Sequence, residues 1–482
     1  MYTTAPLFGK FHSPLKKAAQ PLRRQPLHHL ESLSASWIEP SLLQTNPQQA
    51  NSRERIYTPK LTFFTFLDQI LNPGSSCREA VRQVQAYYQS LPQPRAVRPD
   101  DSPYCSARAR WTLQELIDIR RHLAEHPALQ SLSFPITLPE KRPLKILDGT
   151  TLNLPDTPAN RTDYPQSQDQ RPECGFPLLR LVGAFCLQTG MLLERATGPY
   201  QTSENALEKA LWPTFQAGDI VLADRNFASW AAVASRKARD IDGIYRLNAH
   251  RNADFRQGRR LGPNDRLVTL AKPRVKAANF SDQQWEQLPA TLTVRLVRFR
   301  VKTHNGRCQK ITLMTTLLDP VLWPVELLAE LYGWRWRIEL FLRDIKTTLQ
   351  MEMLSCRTPK MVLKELEMHL IAYNLIRAFM GQAALSCDVP RERLSFKGTL
   401  DTSRQYAQAI ARLPASHRRR RRALYAEMLA AIAGDPVPDR PDRFEPRCQK
   451  RRPKAFPFMT RPRRVLKAAR KDKLLSPRSR RA

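Results

Sequence analysis

Nowhere in its 482 residues does the sequence hold an uninterrupted apolar run of the roughly 20 residues that a membrane-spanning helix needs. The most apolar stretch, 361–385, is interrupted by Lys364, Glu365, Glu367, His369, Asn374 and Arg377, which excludes a span there. The opening segment, MYTTAPLFGKFHSPLKK, lacks the apolar core of a secretory signal. Cysteine is sparse and scattered: the eight, at 77, 105, 174, 186, 308, 356, 387 and 448, include no C-x-x-C pair and no histidine partner at zinc-finger spacing. These absences predict reduced thiols in a cytoplasmic protein that does not associate with membrane.

Acidic residues are the other shortage. Against 44 Asp and Glu stand 78 Lys and Arg, a formal charge of +34 and a pI near 10.4. That excess is far beyond what solubility requires and points to a polyanion partner, with nucleic acid the first candidate. A chain of this length can bury sizeable cores and is expected to fold as two to four domains.

Along the chain, residues 1–50 are rich in Pro, Gln and Ser with weak periodicity, and are expected to be poorly ordered or loosely attached. Residues 51–135 read as helical: TFFTFLDQIL, REAVRQVQAYYQSL and WTLQELIDIRRHLAEH, separated by Pro and Gly breaks. Arg78, Arg82, Arg95, Arg98, Arg108, Arg110, Arg120 and Arg121 make this block a candidate duplex-binding element. Between 136 and 250, strands and helices mix. LKILDGTTL reads as a buried strand ending at Asp148, LLRLVGAFCL-QTG-MLLERA as a hairpin, and DIVLADRNF as a buried strand running into Asp224.

Residues 251–320 form a β-rich insertion with a turn expected at His304-Asn305-Gly306. In TLTVRLVRFRV the apolar phase switches after Leu296, which predicts either a bulge or a strand buried on both faces. Helices resume over 321–390. The region 391–482 carries the run Arg418, Arg419, Arg420, Arg421 and Arg422 and ends in a Pro-rich tail. Residues 440–482 of that tail hold 17 Lys and Arg against three acids, a composition expected to be mobile when unbound. Five consecutive arginines repel one another unless an anion is near, so phosphate contact is the favoured reading of that run.

The segment YGWRWRIELFLRDIK sets Tyr332, Arg335, Glu339 and Lys346 at offsets 0, 3, 7 and 14. On a regular helix these fall within roughly 60° of one another, beside an apolar arc of Leu331, Ile338, Phe341, Leu342, Ile345 and Leu349. Taken alone, such a stripe is more often the solvated margin of an amphipathic helix, and Asp148 and Asp224 are ordinary strand-exit residues. Together the three carboxylates have the composition of a two-metal phosphoryl-transfer site. Hard oxygen donors without clustered His or Cys suit Mg²⁺ or Mn²⁺, with two ions expected.

These residues resemble the DDE transposases of bacterial insertion sequences that carry a Y-x2-R-x3-E-x6-K signature. Tyr332, Arg335, Glu339 and Lys346 fit its spacing, DGTTLNLPDT looks like the first-aspartate block and ILADRNFASW like the second, while NPGSSCREAV and KRRPKAFPFMTRP look like flanking regions. The resemblance implies an α/β, RNase H-like mixed-sheet catalytic domain (136–250 and 321–390) interrupted by the 251–320 insertion. It also implies a helical N-terminal DNA-binding region and a basic, helical or disordered C-terminal region that contacts DNA and takes part in dimerisation. By the same likeness Asp148, Asp224 and Glu339 are catalytic metal ligands, and Tyr332, Arg335 and Lys346 contact phosphates of double-stranded DNA. The implied activity is cleavage at terminal inverted repeats and 3′-OH strand transfer into target DNA by a homodimer, in the cytoplasm at the nucleoid. A catalytically silent DNA-binding derivative and another RNase H-like nuclease are the competing readings. Trp334, Trp336 and Trp285 are candidates for stacking on an unpaired base, with core packing the commoner fate, and Asp156 reads as a turn residue.

Overall fold

The computed structural model describes residues 29–44, 56–89, 93–129, 131–132, 135–247, 254–302, 308–414, 416–438 and 457–475. Its organising element is a single sheet of nine strands. In chain order these are β1 (Leu144–Asn153), β2 (Leu178–Cys186), β3 (Leu192–Pro199), β4 (Ile220–Ala223), β5 (Asp242–Arg246), β6 (Arg259–Gly262), β7 (Asp265–Ala271), β8 (Thr291–Lys302) and β9 (Cys308–Thr315). Across the sheet they run β3-β2-β1-β4-β5-β9-β8-β7-β6.

β1, β4 and β5 are parallel neighbours, and β2 and β3 form the expected antiparallel hairpin beside β1. Gly190 supplies the positive φ of 72° in the hairpin's turn, a conformation open to glycine at little cost. The insertion does not form a separate module. β9 pairs with β5 at Ile244↔Thr315, so β6 to β9 extend the same sheet without a break.

Alternation along each strand sends side chains to two cores. Leu144, Ile146, Ile220, Leu222 and Ile244 enter the larger one, and Leu147, Val221, Ala223 and Tyr245 the smaller one. The phase switch in β8 follows from this arrangement. Leu292, Val294 and Leu296 pack into the smaller core and Val297 into the larger, in a strand paired on both sides and buried on both faces. The turn expected at His304-Asn305-Gly306 lies outside the described residues.

The helix Pro359–Cys387 forms the spine of the larger core. Onto it packs Leu113–Ala124, whose capping box joins Thr112 and Glu115. Arg120, fully buried, donates to Glu367 of the spine at 2.9 Å and to Glu194 of β3 at 2.5 Å. Arg195 also pairs with Glu367.

Three expectations change here. Arg108 and Arg120 are buried at 5% and 0% exposure and bond to groups inside the protein, so neither lies on a duplex-binding face. The segment 1–50 is not uniformly loose, because Leu30, Leu33, Trp37, Ile38 and Leu43 enter the larger core; residues 1–28 and 45–50 are outside the described set. Boundaries at 135 and 390 do not separate cores, since one apolar cluster runs from Leu30 to Ile432. In the tail, Arg463–Leu475 is helical and Arg464 meets Glu173 at 3.2 Å, while residues 439–456 and 476–482 lie outside the described set.

Candidate active site

Asp148 does not end its strand, as the sequence suggested, but sits in the middle of β1 opposite Gly183. What ends there is β4: the last parallel pair is Leu147↔Ala223, so Asp148 and Asp224 occupy the next positions on neighbouring strands. Their parity matches Ile146 and Leu222, which directs both toward the larger core, the side on which Leu331, Ile338 and Phe341 pack. The sheet thus brings two carboxylates to one edge beneath the helical segment.

Each aspartate also accepts a backbone hydrogen bond close to it in the chain. Asp148 Oδ1 accepts from the Gly149 amide at 2.8 Å. Asp224 Oδ1 accepts from the Asn226 amide at 2.8 Å and caps the turn Arg225–Phe227. Burial pushes the Asp148 carboxyl up to about 6, with Asp224 and Glu204 adding to the rise while the Gly149 amide and Arg335 oppose it. A buried carboxylate with other acids beside it favours a bound cation.

The Tyr332 to Lys346 segment is not one regular helix. Val325–Trp334 and Arg337–Arg343 are separated by a tightened turn in which Ile338 and Glu339 donate to Arg335 and Trp336, three residues back. Asp344–Thr348 then widens into a π turn, with the Leu349 amide reaching Asp344. The apolar arc nevertheless buries as expected: Leu331, Ile338, Phe341, Ile345 and Leu349 are at most 1% exposed.

Arg335 is the link between strand and helix. Its Nη1 lies 3.9 Å from Asp148 Oδ2 and its Nη2 4.0 Å from Glu339 Oε1. These are ion-pair separations too long for hydrogen bonds, and the buried Nε has no partner among the described residues. Glu339 is half exposed, at 53% of its side chain. Tyr332 is only 4% exposed, its hydroxyl titration raised by burial and opposed by Arg335, so it backs the guanidinium from within the wall.

Lys346 is half-buried on the π turn. Arg418, Arg419, Arg420 and Arg422 are exposed in the first turns of Arg418–Ala433, and Arg421 bonds Ser32. That helix packs on Pro359–Cys387 and Phe396–Arg412, so the arginine run belongs to the helical layer and not to the wall around Arg335. Trp336 is 49% exposed beside Arg335, whereas Trp285 packs against Trp230 and Phe280. Asp156 is engaged by Arg161 at 2.5 Å, which fits its reading as a turn residue.

One carboxylate escaped the sequence reading. Glu204, first residue of the short helix Glu204–Glu208, lies against Gly149 and accepts from Asn226 Nδ2 at 3.4 Å. Its only signal was the helix start in TSENALEKAL.

Among the described residues no three His, Cys, Asp or Glu side chains stand close enough to hold one ion together. Magnesium does not require three: it is commonly held by one or two carboxylates, with water and substrate phosphate completing the shell. The Asp148 and Asp224 pair offers that donor set, with hard oxygens on rigid strands and no thiol or imidazole, so the residues present fit a divalent ion.

Residues 139–375 match the family described as "Transposase DDE domain", and this part of the chain is a DDE transposase domain. It is 29% identical over 244 residues to the transposase InsG of insertion sequence element IS4 from Escherichia coli strain K12, covering 50% of this chain and 53% of that protein. The chain therefore spans about half the length of this curated relative. The fold also aligns with a cryo-EM structure of the piggyBac transposase synaptic complex with hairpin DNA, at 9% identity and a TM-score of 0.41, covering 86% of each chain. No helix among the described residues is long and apolar enough to cross a membrane.

Proposed function

We propose that this chain is a DNA transposase that cleaves phosphodiester bonds at the terminal inverted repeats of its element and joins the 3′-OH ends to target DNA. The observation that carries the reading is the adjacency of Asp148 and Asp224 on parallel strands, facing Arg335 and Glu339. Divalent ions held there, two Mg²⁺ or Mn²⁺, would activate the attacking oxygen and stabilise the leaving one.

The chain's own residues supply position and charge. Asp148 and Asp224 offer oxygens from strands fixed by their ladders, and Glu339 offers a third carboxylate from the facing helix. Arg335 neutralises these acids in the free protein and presents a planar fork to a DNA phosphate. Tyr332 holds that fork in place, and Lys346 adds a point charge further along the segment. The exposed arginines of 418–422 stand at a helix N-terminus, where the backbone dipole disfavours cations, and a DNA phosphate would offset this. Exposed basic residues of the 51–135 region would grip the duplex, and a homodimer acting on two ends at the nucleoid completes the reading.

The test uses the DNA flanking the gene as substrate. Wild-type protein should nick it in Mg²⁺ at the inverted repeats, and Asp148→Asn and Glu339→Gln should each lose cleavage while still shifting the duplex. Shifted but uncut DNA in both Mg²⁺ and Mn²⁺ with the wild-type chain would instead mark a silent DNA-binding derivative.

A further inference from the structure

Glu204 occupies a position that its short helix alone does not explain. Gly149, directly after Asp148, has no side chain, and a Cβ built there would overlap the Glu204 carboxylate. The missing side chain is what lets Glu204 come up against β1. On its other side Glu204 Oε2 accepts from Asn226 Nδ2 at 3.4 Å, and the Asn226 amide is the group that holds Asp224 Oδ1. One carboxylate thus touches the residue after Asp148 and the residue that orients Asp224. Ser203 fixes it there by capping the helix at the Ala206 amide.

A neutral side chain would make the Asn226 contact without adding charge. A third carboxylate beside an already crowded pair is electrostatically unfavourable unless a cation shares the space. We infer that Glu204 is a positioning residue of the metal site, one that orients Asp224 through Asn226 and raises the affinity of the aspartate pair for a divalent cation. The inference rests on reading Asp148 and Asp224 as metal ligands.

The test is Mn²⁺ titration of the full chain by calorimetry, without DNA, alongside thermal unfolding. Loss of a carboxylate that orients metal ligands costs roughly 10- to 100-fold in metal affinity. Glu204→Gln should show that loss, and Glu204→Asp should recover part of it. Gly149→Ala, which displaces the same carboxylate from the opposite side, should weaken Mn²⁺ to a similar extent and decides the matter if Glu204→Gln does not fold. Unchanged Mn²⁺ affinity in a folded Glu204→Gln, with or without a lower Tm, overturns the inference while leaving the aspartate pair intact. Mn²⁺ binding that survives Asp224→Ala overturns the metal-pair reading, and this inference with it.

Discussion

Arg335 carries opposing demands. It sits about equally far from Asp148 and Glu339, and the positive charge that steadies those acids in the free protein also competes with any cation they bind. Arg335→Ala should therefore bind Mn²⁺ several-fold more tightly than wild type by calorimetry, yet cleave DNA more slowly because the phosphate fork is gone. Weaker Mn²⁺ binding in that variant would mean that Arg335 organises the carboxylates and does not compete. At this scale the sequence told much about the aspartates and little about their neighbours. Asp148 and Asp224 were legible because apolar strands run straight into them. Glu204 was not, because its place depends on a missing side chain at Gly149, 55 positions away in the chain. The burial of Tyr332 and Arg108 was hidden for the same reason: residue type and spacing do not report which surface a helix turns inward.

Among the elements, Leu113–Ala124 shows how local and distant signals combine. Thr112 and Glu115 form a reciprocal cap readable from spacing alone, and Thr112→Ala should cost about 1 kcal/mol in urea unfolding. Its tertiary anchor is Glu367, which meets two guanidinium groups, Arg120 and Arg195, inside the protein. Glu367→Ala leaves both without that partner, and should destabilise by roughly 3–5 kcal/mol, far more than the cap variant. Equal losses from the two substitutions would show that the buried pairings contribute little. The segment from Tyr332 to Lys346 marks the limit of periodicity. A 3.6-residue repeat identified its apolar arc but not the tightened turn at Arg335 or the π turn at Asp344–Thr348, because both arise where the segment packs over the sheet edge and the spine helix.

For the whole molecule, one sheet and one large core join regions that composition divides. The β-rich stretch was recognisable by its strands, but its fusion to β5 follows from pairing with β9, which no local pattern encodes. The spine helix also carries a pH-sensitive group. Burial lowers His369 to about 4 from an ordinary value near 6.5. Between those values the unfolded chain binds the proton and the folded one does not, so stability present above pH 6.5 is lost as pH falls toward 4, by roughly 3 kcal/mol from this group. Urea unfolding from pH 7 to 4 should show that decline, and it should be shallower in His369→Leu; an equally steep decline in the variant would exclude His369 as its source. The charge of +34 belongs to this scale too. DNA binding should weaken steeply as salt rises, since many phosphates are neutralised, and a flat response in a shift assay would contradict the polyanion reading.

All of this converges on Asp224, where β4 ends beside Asp148. The most direct measurement compares wild type and Asp224→Ala on duplex DNA carrying the flanking repeats, scoring binding by gel shift and strand cleavage in Mg²⁺ in the same samples. Unchanged binding and no detectable cleavage are expected in the variant; cleavage that persists, or binding and cleavage lost together, would rule out a catalytic role for this carboxylate.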